Sequence, residues 1–360
     1  MKFNKILQKI YKYLIRSFFK SYYGEIILLK PKIEKSLKSI KLRFVKNTYF
    51  NKKYFFYEIL DGKIYSDNVQ NVGIIKDNYL IQKPSYQQHL GYYLKAKRNF
   101  VIKNGTPKIL KKFDGKVLNC AQGASGENYF HWLFDILPKI KISSNIIDLD
   151  KINYFYLPEI RFKFQTDTLK KLSIQKNKII NSNKYRYIQA EKLLVPEHPW
   201  FNKGYLLHEY NYMPSWIVKW LRKIFLYKNQ TLNKNNLIFI DRSDSNFNRS
   251  RILNNENLWN ALKSLGFKKI LLSKEDFKNQ VSIFQNAKII IGATGAGLAN
   301  ITFCRKNTKV IELRPKLFRT SRVYERISKI NHLRHKTLIM NHDSQSTNFF
   351  VPIKKIIKNL

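Results

Sequence analysis

The first helix predicted by the hydrophobic pattern lies near the start of the chain. Between residues 3 and 18 apolar side chains recur at helical spacing, and the opposite face is basic, with Lys2, Lys5, Lys9, Lys12 and Arg16. Such a helix either lies in a membrane interface, with its lysines on anionic head groups, or packs its apolar face on the protein's own core. The pattern leaves both interpretations open.

Short β-rich runs follow between residues 25 and 116. The clearest is Tyr54–Leu60, and Asp61-Gly62 directly after it is a typical hairpin signal. The pattern therefore predicts a strand that turns back at residue 61. This region carries little recognisable chemistry.

Strands and helices then alternate up to residue 227. The pattern predicts strands at residues 116–120, 153–157 and 192–196, and helices at residues 127–138, 162–172 and 216–227. Because this alternation is typical of βαβ units, we expect a mainly parallel sheet in this half of the chain.

The second half reads as a regular α/β unit. It predicts strands at residues 237–240, 269–272 and 288–291, and helices at residues 254–265 and 276–286. Glycines at 292, 295 and 297 follow the last strand. A helix beginning near Gly297 would aim free N–H groups at this loop and make a seat for a phosphate. The same glycines are also typical of an ordinary tight turn between a strand and a helix.

A chain of 360 residues is long for one hydrophobic core, so two α/β domains are expected. The polar run at residues 228–236 lacks hydrophobic periodicity and is the candidate linker. We therefore predict a basic helix (1–24), an N-terminal domain (25–228), a linker (229–236), a C-terminal domain (237–345) and a C-terminal basic helix (346–360) that crosses back to the first domain.

The formal net charge is +43, from 67 Lys and Arg against 24 Asp and Glu. Lysine is abundant together with Asn, Ile, Tyr and Phe, which indicates a general compositional bias more than a basic stripe built for nucleic acid. The part of the positive charge that this bias does not explain still favours anionic partners: phosphorylated ligands, anionic lipid or RNA.

The hydrophobic pattern does not indicate a membrane-spanning protein or an exported protein. No apolar run reaches the roughly 18 residues of a spanning helix, and lysines interrupt the N-terminal apolar positions that a signal peptide would need. The two cysteines, Cys120 and Cys304, are far apart and fit a reducing compartment. We expect a cytoplasmic protein, peripheral on the cytoplasmic face of the inner membrane if residues 1–20 contact anionic lipid.

Two groups of polar residues stand out. If residues 127–138 are helical, Asn128, His131 and Asp135 share one face. A histidine satisfied locally by a helix carboxylate would give the same pattern. The second group is an arginine-rich loop after the strand at 237–240, where guanidinium groups could fork onto phosphate oxygens or pair with neighbouring aspartates, namely Arg242, Arg249 and Arg251 with Asp241 and Asp244.

Three separated motifs, in order, resemble glycosyltransferase family 61, which contains bacterial capsular polysaccharide biosynthesis proteins and eukaryotic xylosyl- and N-acetylglucosaminyltransferases. The resemblance covers about residues 116–315. The matching residues are Asn128-Tyr-Phe-His131 with Asp135 and Pro138, then Ile240-Asp-Arg242 through Arg251-Ile-Leu-Asn254, then Gln280, Ala287 through Gly292, Gly295-Ala296-Gly297-Leu298, Asn300, Phe303 and Glu312.

The resemblance implies a GT-B architecture, with two Rossmann-like domains facing across a cleft, the first on the acceptor side and the second binding the donor. It implies inverting, metal-independent transfer of a sugar from a nucleotide-sugar donor to a glycan or lipid-linked glycan, with no cofactor. His131 or Asp135 is the candidate base, supported by Asn128. The residues expected to bind the donor are Arg242, Arg249, Arg251, Asn254, Thr294, Gly295, Ala296, Gly297, Asn300 and Glu312, with Glu312 on the ribose hydroxyls.

Two positions depart from the family pattern. The family's Asn-Glu pair after the arginine reads Asn254-Asn255-Glu256 here, so the glutamate is either displaced by one residue or lost, and we assign it no role. Thr294 stands where the family commonly has histidine, so an imidazole donor to the phosphates is replaced by one hydroxyl. Three alternatives compete with a transferase: a basic RNA-binding protein, a nucleotide-binding α/β protein without transferase activity, and a nucleotide-dependent oxidoreductase. The spacing of the glycines does not follow the dinucleotide fingerprint, and no RNA-module signature is visible.

Overall fold

A computed structural model of the chain describes residues 2–48, 50, 52–69, 71–85, 87–89, 92–123, 126–201, 205, 209–227, 236–243, 249–342 and 346–360. The chain divides into two compact units, Met1–Arg161 with Ile174–Tyr205, and Phe162–Ser173 with Leu206–Leu360. The fold is mixed α/β, and parallel strands predominate in the second unit.

In the described part of the first unit, the helices are α1 (Lys2–Tyr23), α2 (Pro31–Ser36), α3 (Phe100–Asn104), α4 (Tyr129–His131) and α5 (Leu137–Ser143). The strands are β1 (Ile27–Leu28), β2 (Ile40–Val45), β3 (Tyr54–Ser66), β4 (Val72–Lys76), β5 (Tyr79–Leu80), β6 (Gln87–His89), β7 (Tyr92–Leu94), β8 (Lys111–Asn119), β9 (Tyr154–Leu157), β10 (Ile179–Asn181) and β11 (Tyr187–Pro196).

Nine strands of the described residues form one mixed sheet in this unit. Its order is β1-β5-β4-β3-β11-β8-β9-β10, with β2 paired to β3, while β6 and β7 form a separate two-stranded sheet. Strands β8 to β11 run parallel, as predicted, but β3 runs antiparallel to β2, β4 and β11. The parallel pairing predicted from the strand–helix alternation is therefore confirmed for β8 to β11. Strands β2 to β4 are antiparallel because their short connections reverse the chain and leave no room for a crossover helix.

The hairpin predicted at Asp61-Gly62 is also wrong, because β3 continues through it. Pairing with β11 holds on both sides of the site, at Leu60 and again at Gly62. Of the two residues, Asp61 takes a left-handed conformation, with φ 48°, and Gly62 does not. Glycine is required next to it for packing, since an added Cβ at residue 62 would lie 2.6 Å from Cβ of Leu193. Long-range pairing has overridden the local turn signal.

In the described part of the second unit, the helices are α6 (Lys163–Lys171), α7 (Ser215–Phe225), α8 (Asn255–Lys263), α9 (Phe277–Gln285), α10 (Val323–Ile330) and α11 (Ile353–Ile357). The strands are β12 (Asn236–Asp241), β13 (Lys268–Leu271), β14 (Ala287–Ala293), β15 (Lys309–Pro315) and β16 (Arg334–Met340). The helix predicted near Gly297 is a 3-10 helix, Ala296–Phe303.

The strands of the second unit form a parallel sheet in the order β13-β12-β14-β15-β16. This confirms the regular α/β unit predicted for this half. Strand β13 pairs with one edge of β12, and the next strand along the chain, β14, pairs with the other edge of β12. The strand order therefore reverses direction at β12. Open α/β sheets bind ligands in the crevice beyond the carboxyl ends of the two strands at such a switch point. Residues that follow Asp241 and Ala293 lie there.

The second unit begins ahead of the predicted linker and includes α6 and α7. Helix α7 joins it because Arg222 donates to the backbone oxygens of Thr302 and Cys304, each at 2.6 Å. Apart from Asn236, which begins β12, the predicted linker at residues 229–236 lies outside the described residues. The C-terminal segment belongs to the second unit, since Phe349, Val351 and Ile356 are buried in its core.

The N-terminal helix is confirmed as α1, which runs to Tyr23. Its apolar side chains from Ile6 to Phe18 are largely exposed, so the described residues do not bury them in the protein's own core. Across the described ranges, no helix combines the length and the apolar character needed to cross a bilayer.

Candidate active site

The first site is built on a helical segment with one π turn. Asn128 caps its start, because its side-chain oxygen accepts from the N–H groups of Phe130 at 2.9 Å and His131 at 3.3 Å. The stretch Trp132–Ile136 then forms a π turn between α4 and α5, closed by the N–H of Leu137 on the carbonyl of Trp132. Nδ1 of His131 lies 2.7 Å from Oδ2 of Asp135 within this turn. The predicted His–Asp pair is therefore present, and both side chains are buried.

Asp135 accepts a second hydrogen bond from Trp200. The indole Nε1 lies 2.7 Å from Oδ1 of Asp135 and 3.1 Å from the carbonyl oxygen of Phe134. That carbonyl lies four residues before Pro138, which has no N–H to donate. Burial by itself would raise the pKa of Asp135, but the charge and hydrogen bond of His131, with a smaller effect of His198, hold the pKa below its ordinary value. The carboxylate is ionised at neutral pH.

His198 is the third side chain near Asp135. Its Nδ1 accepts from the backbone N–H groups of Trp200 at 3.3 Å and Phe201 at 3.0 Å. The neutral ring therefore carries its proton on Nε2, which lies 3.7 Å from Oδ1 of Asp135, beyond hydrogen-bond distance. Burial lowers the pKa of His198 to about 4. The ring of His198 is therefore neutral at neutral pH. It fixes the backbone that carries the Trp200 indole, and the indole in turn binds the Asp135 carboxylate.

Lys139 lies one turn after Asp135 and is also buried. Its ammonium donates to the carbonyl of Ala121 at 3.1 Å and to the side-chain oxygen of Gln122 at 3.0 Å. Burial lowers its pKa to about 8, although Cys120 and Asp135 act in the opposite direction. Burial raises the pKa of the Cys120 thiol to about 12, so it is not a thiolate.

The buried polar residues of this site include two that follow the carboxyl ends of parallel strands. Gln122 comes three residues after β8, and His198 comes two residues after β11, its parallel neighbour. Sequence reasoning found Asn128, His131 and Asp135 from helical spacing. It missed three buried partners, His198, Trp200 and Lys139. The run His198-Pro-Trp-Phe directly after a predicted strand was the available signal for two of them.

The second site lies beyond β12 and β14, at the switch point of the second unit. Arg242 follows β12, and its Nη1 donates to the carbonyl oxygen of Thr294. The guanidinium lies so close to Gly295 that an added Cβ there would be 2.3 Å from Nη1. Tyr324 donates its hydroxyl to the carbonyl of Gly295 at 2.6 Å. A side chain at residue 295 would therefore force the guanidinium of Arg242 to move away from the loop.

Asp241 does not pair with Arg242. Its carboxylate accepts from Ser243 and Asn255 and lies 3.6 Å from Lys269. The alternative in which Asp241 neutralises the first arginine is thus wrong, while Asp244 lies outside the described residues.

Glu312 holds the glycine loop through a hydrogen bond from Thr294. Its buried carboxylate accepts from the hydroxyl of Thr294 at 2.7 Å, from Arg314 at 2.6 Å and from His335, whose Nε2 lies 3.1 Å away. Burial would raise the pKa of Glu312, but His335 and Arg314 outweigh it and hold the pKa below its ordinary value. In this arrangement Glu312 orients Thr294, and its oxygens do not face solvent.

The other predicted donor residues hold different positions. Asn300 is buried and donates to Gln280 at 3.0 Å and to the carbonyl of Gly297 at 3.2 Å, which fixes the start of the 3-10 helix that includes Ala296. Asn254 exchanges hydrogen bonds with the backbone of Val351, at 2.9 and 2.8 Å. The backbone N–H of Arg251 donates to Asn348 at 3.0 Å, and Arg249 is exposed.

The structure therefore brings Arg242, Thr294 and Gly295 together, with Glu312 and Asn300 supporting the loop. It does not bring Asn254 into contact with them. Within the described ranges, no three His, Cys, Asp or Glu side chains are arranged to hold a metal ion.

The family model described as Glycosyltransferase 61 matches residues 129–311. The matched range begins one residue after the helix cap Asn128, contains both the His131–Asp135 pair and the Arg242 loop, and ends one residue before Glu312. No curated protein matches the chain.

Proposed function

The chain belongs to the glycosyltransferase 61 family and is a glycosyltransferase, and we propose that it moves a sugar from a nucleotide-sugar donor to a glycan or lipid-linked glycan acceptor with inversion at the anomeric carbon. The observation that carries the mechanism is the hydrogen bond of 2.7 Å between His131 and the buried carboxylate of Asp135. The proposal extends to a cytoplasmic role in surface, capsular-type polysaccharide biosynthesis, as the sequence resemblance implies. The GT-B arrangement stays a prediction.

His131 is the proposed general base. An ionised carboxylate only accepts hydrogen bonds, so Asp135 holds the imidazole proton on Nδ1. Nε2 then has a lone pair that can take a proton from an acceptor hydroxyl. No residue that the structure describes forms a hydrogen bond with Nε2. Asp135, Trp200 and His198 act through His131 and are positioning residues.

Arg242 and the glycine loop are the proposed donor site. The departing nucleoside diphosphate gains negative charge in the transition state, and a guanidinium with five donors can hold the loop and also contact a phosphate. Backbone N–H groups at the start of the 3-10 helix add partial positive charge. The hydroxyl of Thr294 donates its one proton to Glu312 at 2.7 Å, so in this arrangement Thr294 shapes the loop and has no proton left to donate to a phosphate oxygen. We therefore assign Glu312 a positioning role in place of ribose binding.

The proposed reaction is one displacement. The acceptor oxygen forms a bond to the anomeric carbon as its proton passes to Nε2 of His131. The bond from the anomeric carbon to the donor phosphate oxygen breaks, and its electron pair leaves with the nucleoside diphosphate. Attack on the face opposite the leaving group inverts the configuration. Cations and backbone dipoles of the second site stabilise the leaving group in this proposal without a metal ion.

A panel of nucleoside diphosphates and nucleotide sugars tests the donor site. We expect one nucleotide to raise the thermal stability of the wild-type chain, because a ligand at a hundred times its dissociation constant adds about 2.7 kcal/mol. Arg242→Ala should remove that stabilisation. The matched control is Arg222→Ala, since Arg222 also donates to backbone carbonyls, at Thr302 and Cys304, but at the far end of the same 3-10 helix.

Two results would contradict this assignment. One is the absence of stabilisation of the wild-type chain by every nucleotide tested. The other is equal stabilisation of Arg242→Ala and the wild type. Loss of stabilisation in Arg222→Ala as well would show that any disturbance of the second unit is sufficient, and would remove the support for Arg242.

A further inference from the structure

Helix α1 carries an apolar surface that the described residues leave open. Its side chains range in exposure from 50% to 65%, which for aliphatic and aromatic groups means that most of the burial available to them is unused: Ile6, Leu7, Ile10, Tyr11, Leu14 and Phe18. We call these six residues the apolar arc. A contiguous exposed apolar surface of this kind marks an interaction site.

The described contacts hold α1 at its C-terminal end, while the basic residues earlier on the helix stay exposed. Tyr23 packs edge-on against Tyr187 at 5.3 Å, and its hydroxyl accepts from the N–H of Leu110 at 3.0 Å. Phe19 stacks on Tyr23 at 5.7 Å. At about 100° per residue, Phe19 and Tyr23 lie opposite the centre of the apolar arc. The arc therefore points away from the core of the first unit.

The charge on α1 selects its partner. The helix contains no Asp or Glu, and its polar side carries Lys5, Lys9, Lys12 and Arg16. Anionic lipid head groups complement this charge, at about 1 kcal/mol for each basic residue near the surface. A second copy of the chain would instead bring together two helices that each carry only positive charge, and like charges repel.

We propose that α1 is a membrane-surface helix that lies in the head-group region of an anionic bilayer. The apolar arc enters the acyl boundary, and the basic side remains among the phosphates. Tyr11 and Tyr13 have the amphipathic rings that favour this interfacial position. The inference rests on the geometry and charge of α1 and is independent of the transfer reaction.

Vesicle sedimentation of the full chain tests the apolar arc. We expect binding to vesicles of phosphatidylcholine and phosphatidylglycerol in equal parts and little binding to phosphatidylcholine alone. Ile10→Ser with Leu14→Ser should weaken binding on the order of a hundredfold, since each apolar side chain contributes about 1.5–3 kcal/mol when buried. The matched control is Ile109→Ser with Leu317→Ser, two side chains that are 81% and 59% exposed elsewhere on the surface.

A second pair of variants separates local from general charge. Lys9→Gln with Lys12→Gln should weaken vesicle binding about thirtyfold, at about 1 kcal/mol per lysine. Lys97→Gln with Lys170→Gln removes the same charge from exposed positions elsewhere and should leave binding nearly unchanged. If both pairs weaken binding equally, the net charge of +43 explains it and the proposal is wrong.

A fluorescent label reports which face enters the lipid, even where a serine variant folds poorly. The two native cysteines, Cys120 and Cys304, are buried, so an introduced cysteine on α1 can be labelled selectively. A polarity-sensitive dye on Leu14→Cys should shift to shorter wavelength with anionic vesicles, whereas the same dye on Arg16→Cys should not. Equal shifts at both positions would overturn the proposal. So would dissociation of a dimer by Ile10→Ser with Leu14→Ser at unchanged vesicle binding.

Discussion

Asp135 determines which nitrogen of His131 can act as a base. Its two oxygens accept from different donors, Nδ1 of His131 at 2.7 Å and the indole of Trp200 at 2.7 Å. The carboxylate is therefore fixed in orientation by the indole and fixes the imidazole in turn. A buried, ionised group held by several donors is typical of a positioning residue in a catalytic site.

The substitution Asp135→Asn tests this role. An amide keeps the shape of the side chain but can present N–H to Nδ1, which would move the imidazole proton to Nε2. We expect the turnover number for sugar transfer to fall about 10²- to 10⁴-fold, the range of general base catalysis, at unchanged donor affinity. Exposed Asp150→Asn serves as the control. A turnover number equal to that of the wild type would refute the tautomer argument.

His198 makes stability depend on pH. Its pKa is about 4 in the folded chain against an ordinary 6.5, so between these values the unfolded chain binds more protons. The free energy of unfolding must therefore rise with pH through this window and fall by up to about 3 kcal/mol as the pH drops from 6.5 to 4. Asp135, with a pKa below its ordinary 3.8, affects stability only at lower pH.

Urea denaturation at several pH values measures the effect. His198→Gln keeps an acceptor for the N–H groups of Trp200 and Phe201 but cannot titrate, so its stability should be nearly flat between pH 4 and 6.5 relative to the wild type. His332→Gln, at an exposed histidine, should keep the wild-type slope. The same slope in His198→Gln and the wild type would show that His198 is not the group responsible.

The contact between His131 and Asp135 could be predicted from the sequence because the two residues are close along the chain. His131 and Asp135 are four residues apart on one helix, so their contact follows from helix geometry. Trp200 and His198 are more than sixty residues away, and only the parallel pairing of β8 with β11 brings them to Asp135. A single sequence does not contain that register, so these partners could not be identified from it.

At the scale of elements, the strand before the glycine loop matches its prediction, because the strand predicted at residues 288–291 lies within β14. The phosphate seat predicted at the glycines stays a prediction. The structure adds a feature that the sequence did not indicate, which is the close approach of the Arg242 guanidinium to Gly295. The 3-10 form of the following helix could not be predicted, because it depends on Asn300 bonding to Gly297 and to Gln280 from another helix.

Gly295→Ala tests this contact. The new Cβ would lie 2.3 Å from Nη1 of Arg242, so the guanidinium must move, and we expect nucleotide stabilisation to be lost or to fall at least tenfold in affinity. Gly266→Ala is the control, because Gly266 has φ +83° and open space around it. That variant should lose about 1–2 kcal/mol of stability and keep its nucleotide affinity. Equal nucleotide affinity in the two variants would exclude a role for the Arg242–Gly295 contact.

Strand β3 shows the opposite relation between sequence and element. Asp61-Gly62 is a strong local turn signal, yet pairing with β11 carries the strand straight through it. The second unit was predicted well because its strands alternate regularly with helices. The first unit was predicted less well because β3 also pairs with β11, which lies more than a hundred residues later in the chain.

At the scale of the whole molecule, the sequence resemblance and the family match agree on a transferase. The proposed base belongs to the first unit and the proposed donor site to the second. The charge of +43 suits phosphorylated ligands and anionic lipid alike. The central claim is that His131 performs the chemical step while the donor binds through other residues.

Sugar transfer and donor affinity measured together on His131→Ala test that claim most directly, with the nucleotide sugar that best stabilises the wild-type chain as donor. We expect a turnover number lower by about 10²- to 10⁴-fold and a donor dissociation constant within about twofold of the wild type. Transfer by His131→Ala at the wild-type rate would contradict it, and so would a loss of donor affinity large enough to explain the lost rate.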